Sequence, residues 1–320
     1  MSKTNVYTLV ATALLGVLLY FILQLASDMR TRVILKQPEE QPPDFIRETS
    51  GRRITTRAEL TGFLTERGLD AAHAIEASAN WRARRGFLGG DVLLGIEAAN
   101  APIRAYDALD DTALKSMSEQ GDVTATQALA DRTASVDPFA AIKLYVTAAS
   151  QGSIFAVLRI GSLRETLGSA AAGGIPADAA FLGKLSTLRR DDPDRSPQMD
   201  AFAYATAAIR DGGIAIVDDD LLNRVRRAGH AMSPAQRAEA CALSEHIFLE
   251  FGTARRSRGF PPVTTRPPTV FIGIPDIADK LPCTATAHPI IALLDLDECS
   301  IDPVENSRGE SVDLYICQTG

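Results

Sequence analysis

The spacing of apolar and polar positions changes character along the chain, and each change predicts a different kind of element. Val6 to Ala26 is a run of 21 residues without a charge, with Gln24 its one strongly polar position. A helix of that length spans the roughly 30 Å hydrocarbon core of a bilayer. Tyr7 and Tyr20-Phe21 lie toward its ends, where interfacial aromatics belong. The run exceeds the apolar part of a cleaved leader, and Leu25-Ala26-Ser27 makes a poor cleavage site. The pattern therefore predicts a tail over residues 1–5 and a permanent transmembrane signal anchor over 6–27. Beyond it, Gln37-Pro38-Glu39-Glu40-Gln41-Pro42-Pro43 has no apolar period and prolines that stop a helix, which predicts a semi-extended tether over 28–55.

From Thr56 the period becomes helical and stays so to about residue 258. Thr56 suits the N-cap of a helix over Arg57–Gly68, with Leu60, Phe63 and Leu64 on one face. Leu69, Ala72, Ile75 and Ala79 mark a second apolar face, which ends at the basic stretch Trp81–Gly86. Residues 91–108 read as another helix, interrupted at Pro102, and Asp110-Asp111-Thr112 can cap the next. Gly168–Gly174 reads as a loop, Pro176–Leu188 as a helix, and Arg189–Pro197 as a second loop. Asp218–Asp220 would cap a helix over Leu221–Ala228. Ser233-Pro234 opens a long helix toward Gly252, whose face would carry Ala238, Cys241, Ala242, Ile247 and Phe248. The pattern stops at Gly259-Phe260-Pro261-Pro262. In the tail over 259–320, Val270–Ile274, Ile290–Leu294 and Val312–Cys317 read as strands or extended segments. So short a tail cannot build an independent core, so it is expected to lie back on the helices or to be clamped by disulfides.

Inside the helical region a pattern recurs. Ser118-Glu119-Gln120-Gly121 followed by Ala125 and Leu129 returns 31 residues later as Ala149-Ser150-Gln151-Gly152 followed by Ala156 and Ile160. The second copy is the fuller one, in the order Asp137, Ala141, Tyr145, Ala148-Ala149, Gln151-Gly152, Ala156, Gly161. Residues 200–217 hold a third, slipped by one position, with Ala201, Tyr204, Ala207-Ala208 and Gly212-Gly213. An alanine pair lets one helix approach the next, and the glycine permits a left-handed turn between them. The pattern resembles the Sel1-like repeat, a relative of the tetratricopeptide repeat. The resemblance covers about 50 residues of the chain's 320. It implies an all-α fold, an α-solenoid of stacked hairpins over 56–258 behind the transmembrane helix, with the small extended or β tail after it.

Composition supports this reading. Aromatic residues make up only 6% of the chain, which favours packed helices over sheets. The net charge of −7 speaks against a nucleic-acid partner, because phosphate contacts dominate such binding. Nine acidic residues lie between 269 and 320 against only Lys280 and Arg308, a solvated surface or a docking face for a basic partner.

Candidate chemistry is sparse. Cys283, His288, Cys299 and Cys317 lack the close ligand pairs of a structural zinc site, so a disulfide within Cys283, Cys299 and Cys317 is the expectation. Cys241 reads as a small buried hydrophobe. Asp295–Glu298 with Asp302 lacks the glycine and alternating ligands of an EF-hand. No G-x-S-x-G, HExxH or P-loop occurs, and no catalytic residue, metal or cofactor is assigned. Arg30, Arg32 and Lys36 after the anchor favour a cytoplasmic carboxyl side. The short tail's amino terminus and the cysteines favour the opposite, and the soluble part is expected outside the inner membrane, in the periplasm. The resemblance implies a scaffold that binds a protein partner, with groove residues near Tyr145 and Arg159 contributing. The alternatives are an enzyme with its site at the acidic tail, or a structural subunit of an envelope assembly.

Overall fold

The computed structural model describes residues 52–87, 92–93, 96–97, 105–172, 183–184, 195–262, 266–274, 277, 281, 283 and 294–317. The expected anchor, most of the tether, all but residues 183–184 of the helix near 176–188, and the strand up to residue 293 lie outside the described residues. Among those described, no helix is long and apolar enough to cross a membrane.

Side-chain caps begin the helices. The Thr56 hydroxyl accepts the Glu59 N–H and the Glu59 carboxylate accepts the Thr56 N–H, which starts α1 (Arg57–Glu66). Asp70 begins α2 (Ala71–Ala83), Asp110 α3 (Asp111–Glu119), Asp122 α4 (Val123–Ala134) and Asp137 α5 (Pro138–Gln151). The Ser153 hydroxyl accepts the Ala156 N–H at the start of α6 (Ile154–Ala172). Ser196, Asp218 and Ser233 cap α7 (Pro197–Gly212), α8 (Asp219–His230) and α9 (Pro234–Ser257). Proline stands in the first turn of α5, α7 and α9, where its missing N–H costs nothing.

Consecutive helices from α3 to α7 pack on one another, α7 also packs on α8 and α9, and α9 returns to α5. The helix at the centre is α7. From Met199 to Gly212 it is buried almost all round, Asp200 and Arg210 included. The fuller repeat copy, α5 with α6, forms one flank of it. A 3₁₀ turn over Gly213–Ile216 follows α7 and leads into α8.

The tail forms an antiparallel sheet of β3 (Val270–Gly273), β4 (Cys299–Glu305) and β5 (Ser311–Cys317), with β5 in the middle. Among the described residues the chain is thus predominantly helical, with this small three-stranded antiparallel sheet. Val270, Val304, Leu314 and Ile316 form a second apolar cluster with Ile54 and residues of α1 and α2. Phe271 stacks on Tyr315 with ring centroids 4.6 Å apart, and both join the core of the helical array. Arg52–Ile54, at the end of the expected tether, run alongside β4: the Ile54 N–H donates to the Glu305 carbonyl and the Glu305 N–H to that of Arg52. Two of the tail's acids meet cations from this side, Asp302 with Arg67 and Glu305 with Arg53.

Several expectations need correction. Val92–Leu93 (β1) and Ile96–Glu97 (β2) pair as antiparallel strands where a helix over 91–108 was expected. Val92 and Ile96 are β-branched and suit a pleat better than a helix face. Cys241 is no isolated hydrophobe but bridges to Cys283, and the second disulfide joins Cys299 to Cys317. The pairing is spatial: Cys241 lies on the buried stripe of α9, against which residue 283 packs. That stripe runs through Ala240, Cys241, Ser244 and Ile247, and Ala238 and Ala242 face solvent. On α2 the buried set is Ala71, Ala74, Ile75, Ser78 and Trp81, with Ala72 exposed. Where alanine occurs on every side of a helix, apolar period alone does not choose the buried stripe.

Candidate functional site

The repeat residues occupy the interior and the turns. Ala125, Ala141, Tyr145, Ala148 and Ala156 have no exposed surface, and Ala149 and Gln151 are buried. Gln120 closes α3 at an exposed position, and Gly121 and Gly152 follow their helices with φ of +93° and +116°. The Gln151 side-chain amide donates to the Ser118 carbonyl at 3.2 Å, tying the end of α5 to α3. Arg255 of α9 lies over Gly152 and donates to the Gln151 carbonyl. At Gly161 α6 lies tight against α7, where a Cβ would fall 2.6 Å from that of Tyr204. The Tyr145 hydroxyl donates to Asp131, and Arg159 Nε donates to the hydroxyl at 3.4 Å. Burial, then the Asp131 carboxylate, push the phenol well above its ordinary value. Of the expected groove pair, Tyr145 is core and Arg159 reaches an open cleft.

That cleft, about 580 Å³, lies where α2, the 3₁₀ turn with the start of α8, and β3 converge. Its floor is apolar, built from Ile75, Phe155, Leu158, Ile216, Val217, Phe271 and Ile272. Its rim is charged on two sides. Arg57 and Arg308 come from the start of α1 and the β4–β5 turn, which the Arg53–Glu305 pairing holds together. Asp218, Asp219 and Asp220 come from the start of α8.

Some of these charges are already engaged. The Asp218 carboxylate accepts the Leu221 N–H at 2.8 Å as the α8 cap. Arg82 donates to the Ala215 carbonyl at 3.2 Å, and Arg224 donates to the Ser162 hydroxyl at 2.5 Å. Arg57, Arg308, Asp219 and Asp220 make no side-chain hydrogen bond or ion pair among the described residues, and so remain available to a ligand. The lining residues include no histidine or cysteine. The cleft's carboxylates are Asp218, Asp219 and Asp220 from the start of α8 and Glu310 from the acidic tail.

Two buried charge clusters lie elsewhere. Asp200 is flanked by Arg164 at 3.1 Å and Arg195 at 3.6 Å. Burial pushes the Asp211 carboxyl up to about 6 against the opposing pull of Arg85 and Arg255, and burial pushes Arg85 down to about 10. Both read as internal struts between packed helices. The four cysteines are consumed by their two bridges, so the set with His288 offers no thiolates to a metal. No group of three or more His, Cys, Asp or Glu among the described residues could hold one.

The cleft escaped the sequence because it is assembled from five separate stretches of chain. Asp218–Asp220 had signalled only a cap, and Phe271 only a strand. No family model, curated protein or solved structure matches the chain.

Proposed function

We propose that the protein is a membrane-anchored adaptor built on Sel1-like helical repeats, and that the cleft beside β3 holds its protein partner. The observation that carries this reading is the cleft's composition: an apolar floor ringed by unpaired arginines on one side and unpaired aspartates on the other. Such a surface suits a protein ligand, whose apolar side chains fill the centre while a polar rim sets orientation. The neighbouring packing of α3 to α7, with left-handed glycines at two of the turns, supports a solenoid of stacked hairpins. The run Val6–Ala26 supplies the anchor. Two disulfides support an oxidising compartment, hence a periplasmic domain on the inner membrane.

The test is capture from solubilised membranes with the wild-type chain, with Arg57→Glu/Arg308→Glu and with Asp219→Lys/Asp220→Lys. The adaptor reading expects one protein retained by the wild type and lost with both rim variants. Retention unaffected by either double variant would remove the cleft from the reading. Thiol labelling in intact membranes tests the compartment: four unreactive cysteines are expected before reductant, and four reactive ones would contradict a periplasmic domain.

A further inference from the structure

The two edges of the sheet are treated differently. Outside β4, residues 52–54 cover the edge. Outside β3 no strand follows among the described residues. The direction of β3's backbone groups follows from two bonds. The Thr269 carbonyl accepts the Cys317 N–H at 2.8 Å, so it points toward β5, whereas the Val270 N–H donates to Ser78 Oγ at 2.9 Å, on α2, and so points away. Alternation along a strand then turns the N–H and C=O of Ile272 away from β5 as well. The cleft runs along this edge and not across one face. Val270 and Ile272 belong to one face of β3 and Phe271 to the other, yet all three line it.

We propose that the cleft takes an extended peptide segment of the partner as an added strand beside Ile272 on the outer edge of β3, with an acidic residue at one end of the segment and a basic residue at the other. This rests on the adaptor reading above and names what the cleft recognises. Backbone groups of the segment pair with Ile272, and its apolar side chains, alternating along the strand, fill the floor between Phe155, Leu158 and Phe271. The polarity comes from the rim. Arg57 and Arg308 come from the start of α1 and the β4–β5 turn, and Asp219 and Asp220 from the start of α8, all four unpaired within the described residues, whereas Glu310 beside Arg308 accepts from Asn306 and Arg224 beside Asp220 donates to Ser162. A segment with an acid at the first end and a base at the second satisfies both lips, and one with these reversed meets like charge at each.

The experiment uses the purified full-length chain in detergent and a fluorescent probe peptide, acetyl-Asp-Thr-Val-Thr-Val-Thr-Arg-amide. Two further probes carry N-methyl groups on alternate residues, one on the odd set and one on the even. Strand addition expects the parent to bind, one methylated probe to lose at least tenfold in affinity and the other to keep it, since only alternate amides face β3. It also expects Asp219→Lys/Asp220→Lys to weaken the parent and to be rescued by a probe with Glu in place of Arg. Equal behaviour of the two methylated probes, no parent binding, or no charge rescue would overturn the proposal. These outcomes separate from the adaptor reading. A partner lost with the rim variants while the probes fail the alternation test leaves the adaptor standing without strand addition. Alternating probe binding with no captured partner leaves the strand site without the adaptor.

Discussion

The helices α3–α9 and the sheet β3–β5 both bury apolar surface, but they arrive at it by opposite routes. In the array from α3 to α8, neighbours in space are neighbours in the chain, with α9 folding back on α7 and α5, and small residues bring helix backs together: Ala125, Ala130, Ala141, Ala148, Ala156, Ala203 and Ala208 are wholly buried. Each contributes little area, so stability is spread over many close approaches. In the sheet, the contacts that matter join distant parts of the chain. Asp302 meets Arg67 across 235 residues, and the Val270 N–H meets Ser78 across 192. Loop closure makes such contacts costly to form, and two disulfides offset part of that cost. The array is held by local packing, and the sheet by long-range contacts and covalent staples.

Five variants break or sharpen this contrast, taken from the largest effect to the smallest. Tyr145→Ala empties a site with no exposed surface in the array and removes the hydroxyl that donates to Asp131. A loss of about 3–5 kcal/mol is expected, seen as a fall in Tm of the whole described domain. Replacing Cys299 and Cys317 by serine opens a loop with a sequence separation of 18 residues, for a cost of roughly 3 kcal/mol. That cost is expected to appear in the sheet's amide protection with the array's helicity retained. Gly161→Val should cost about 1–3 kcal/mol, because its Cβ would fall 2.6 Å from that of Tyr204. The control is Gly62→Ala in α1, where a Cβ meets nothing within 4 Å. A stabilisation of about 0.5–1 kcal/mol is expected there from helix propensity, read by denaturant titration. Arg67→Ala at the half-exposed pair with Asp302 should cost at most about 1 kcal/mol, and less as salt rises.

A pH titration probes the array from inside. The folded Asp211 carboxyl titrates near 6, above its ordinary value of 3.8, so folding favours its protonated form. Its contribution is fully present below about pH 4 and is lost as pH rises through about 6, a change on the order of 1–3 kcal/mol. Wild-type stability should therefore decline relative to Asp211→Asn across that window. A difference between the two that stays constant with pH would show that the carboxyl is not held in a desolvating site.

What the sequence could tell followed the same division. Caps at Thr56, Asp110, Asp218 and Ser233 were readable because a cap is a local event, as were the left-handed turns at Gly121 and Gly152. The central position of α7 was not, since its slipped repeat resembled the others and burial on all sides depends on α6, α8 and α9 together. In the tail, the strands at Val270 and Val312 showed an apolar run. β4 did not, because Asp302 and Pro303 break its pattern and its register comes from β5. The partner of Cys241 is 42 residues away and no spacing rule reaches it. The cleft was the least legible part, because its rim pairs the start of α1 with a hairpin some 250 residues later.

Amide hydrogen exchange on the intact chain, with and without reductant, tests the division between packed array and stapled sheet most directly. The account predicts that reduction lowers protection in β3–β5 by about a hundredfold, as expected for losing roughly 3 kcal/mol locally, while α5, α6 and α7 exchange as before. Equal loss of protection in the array, or an unchanged sheet after complete reduction, would contradict it.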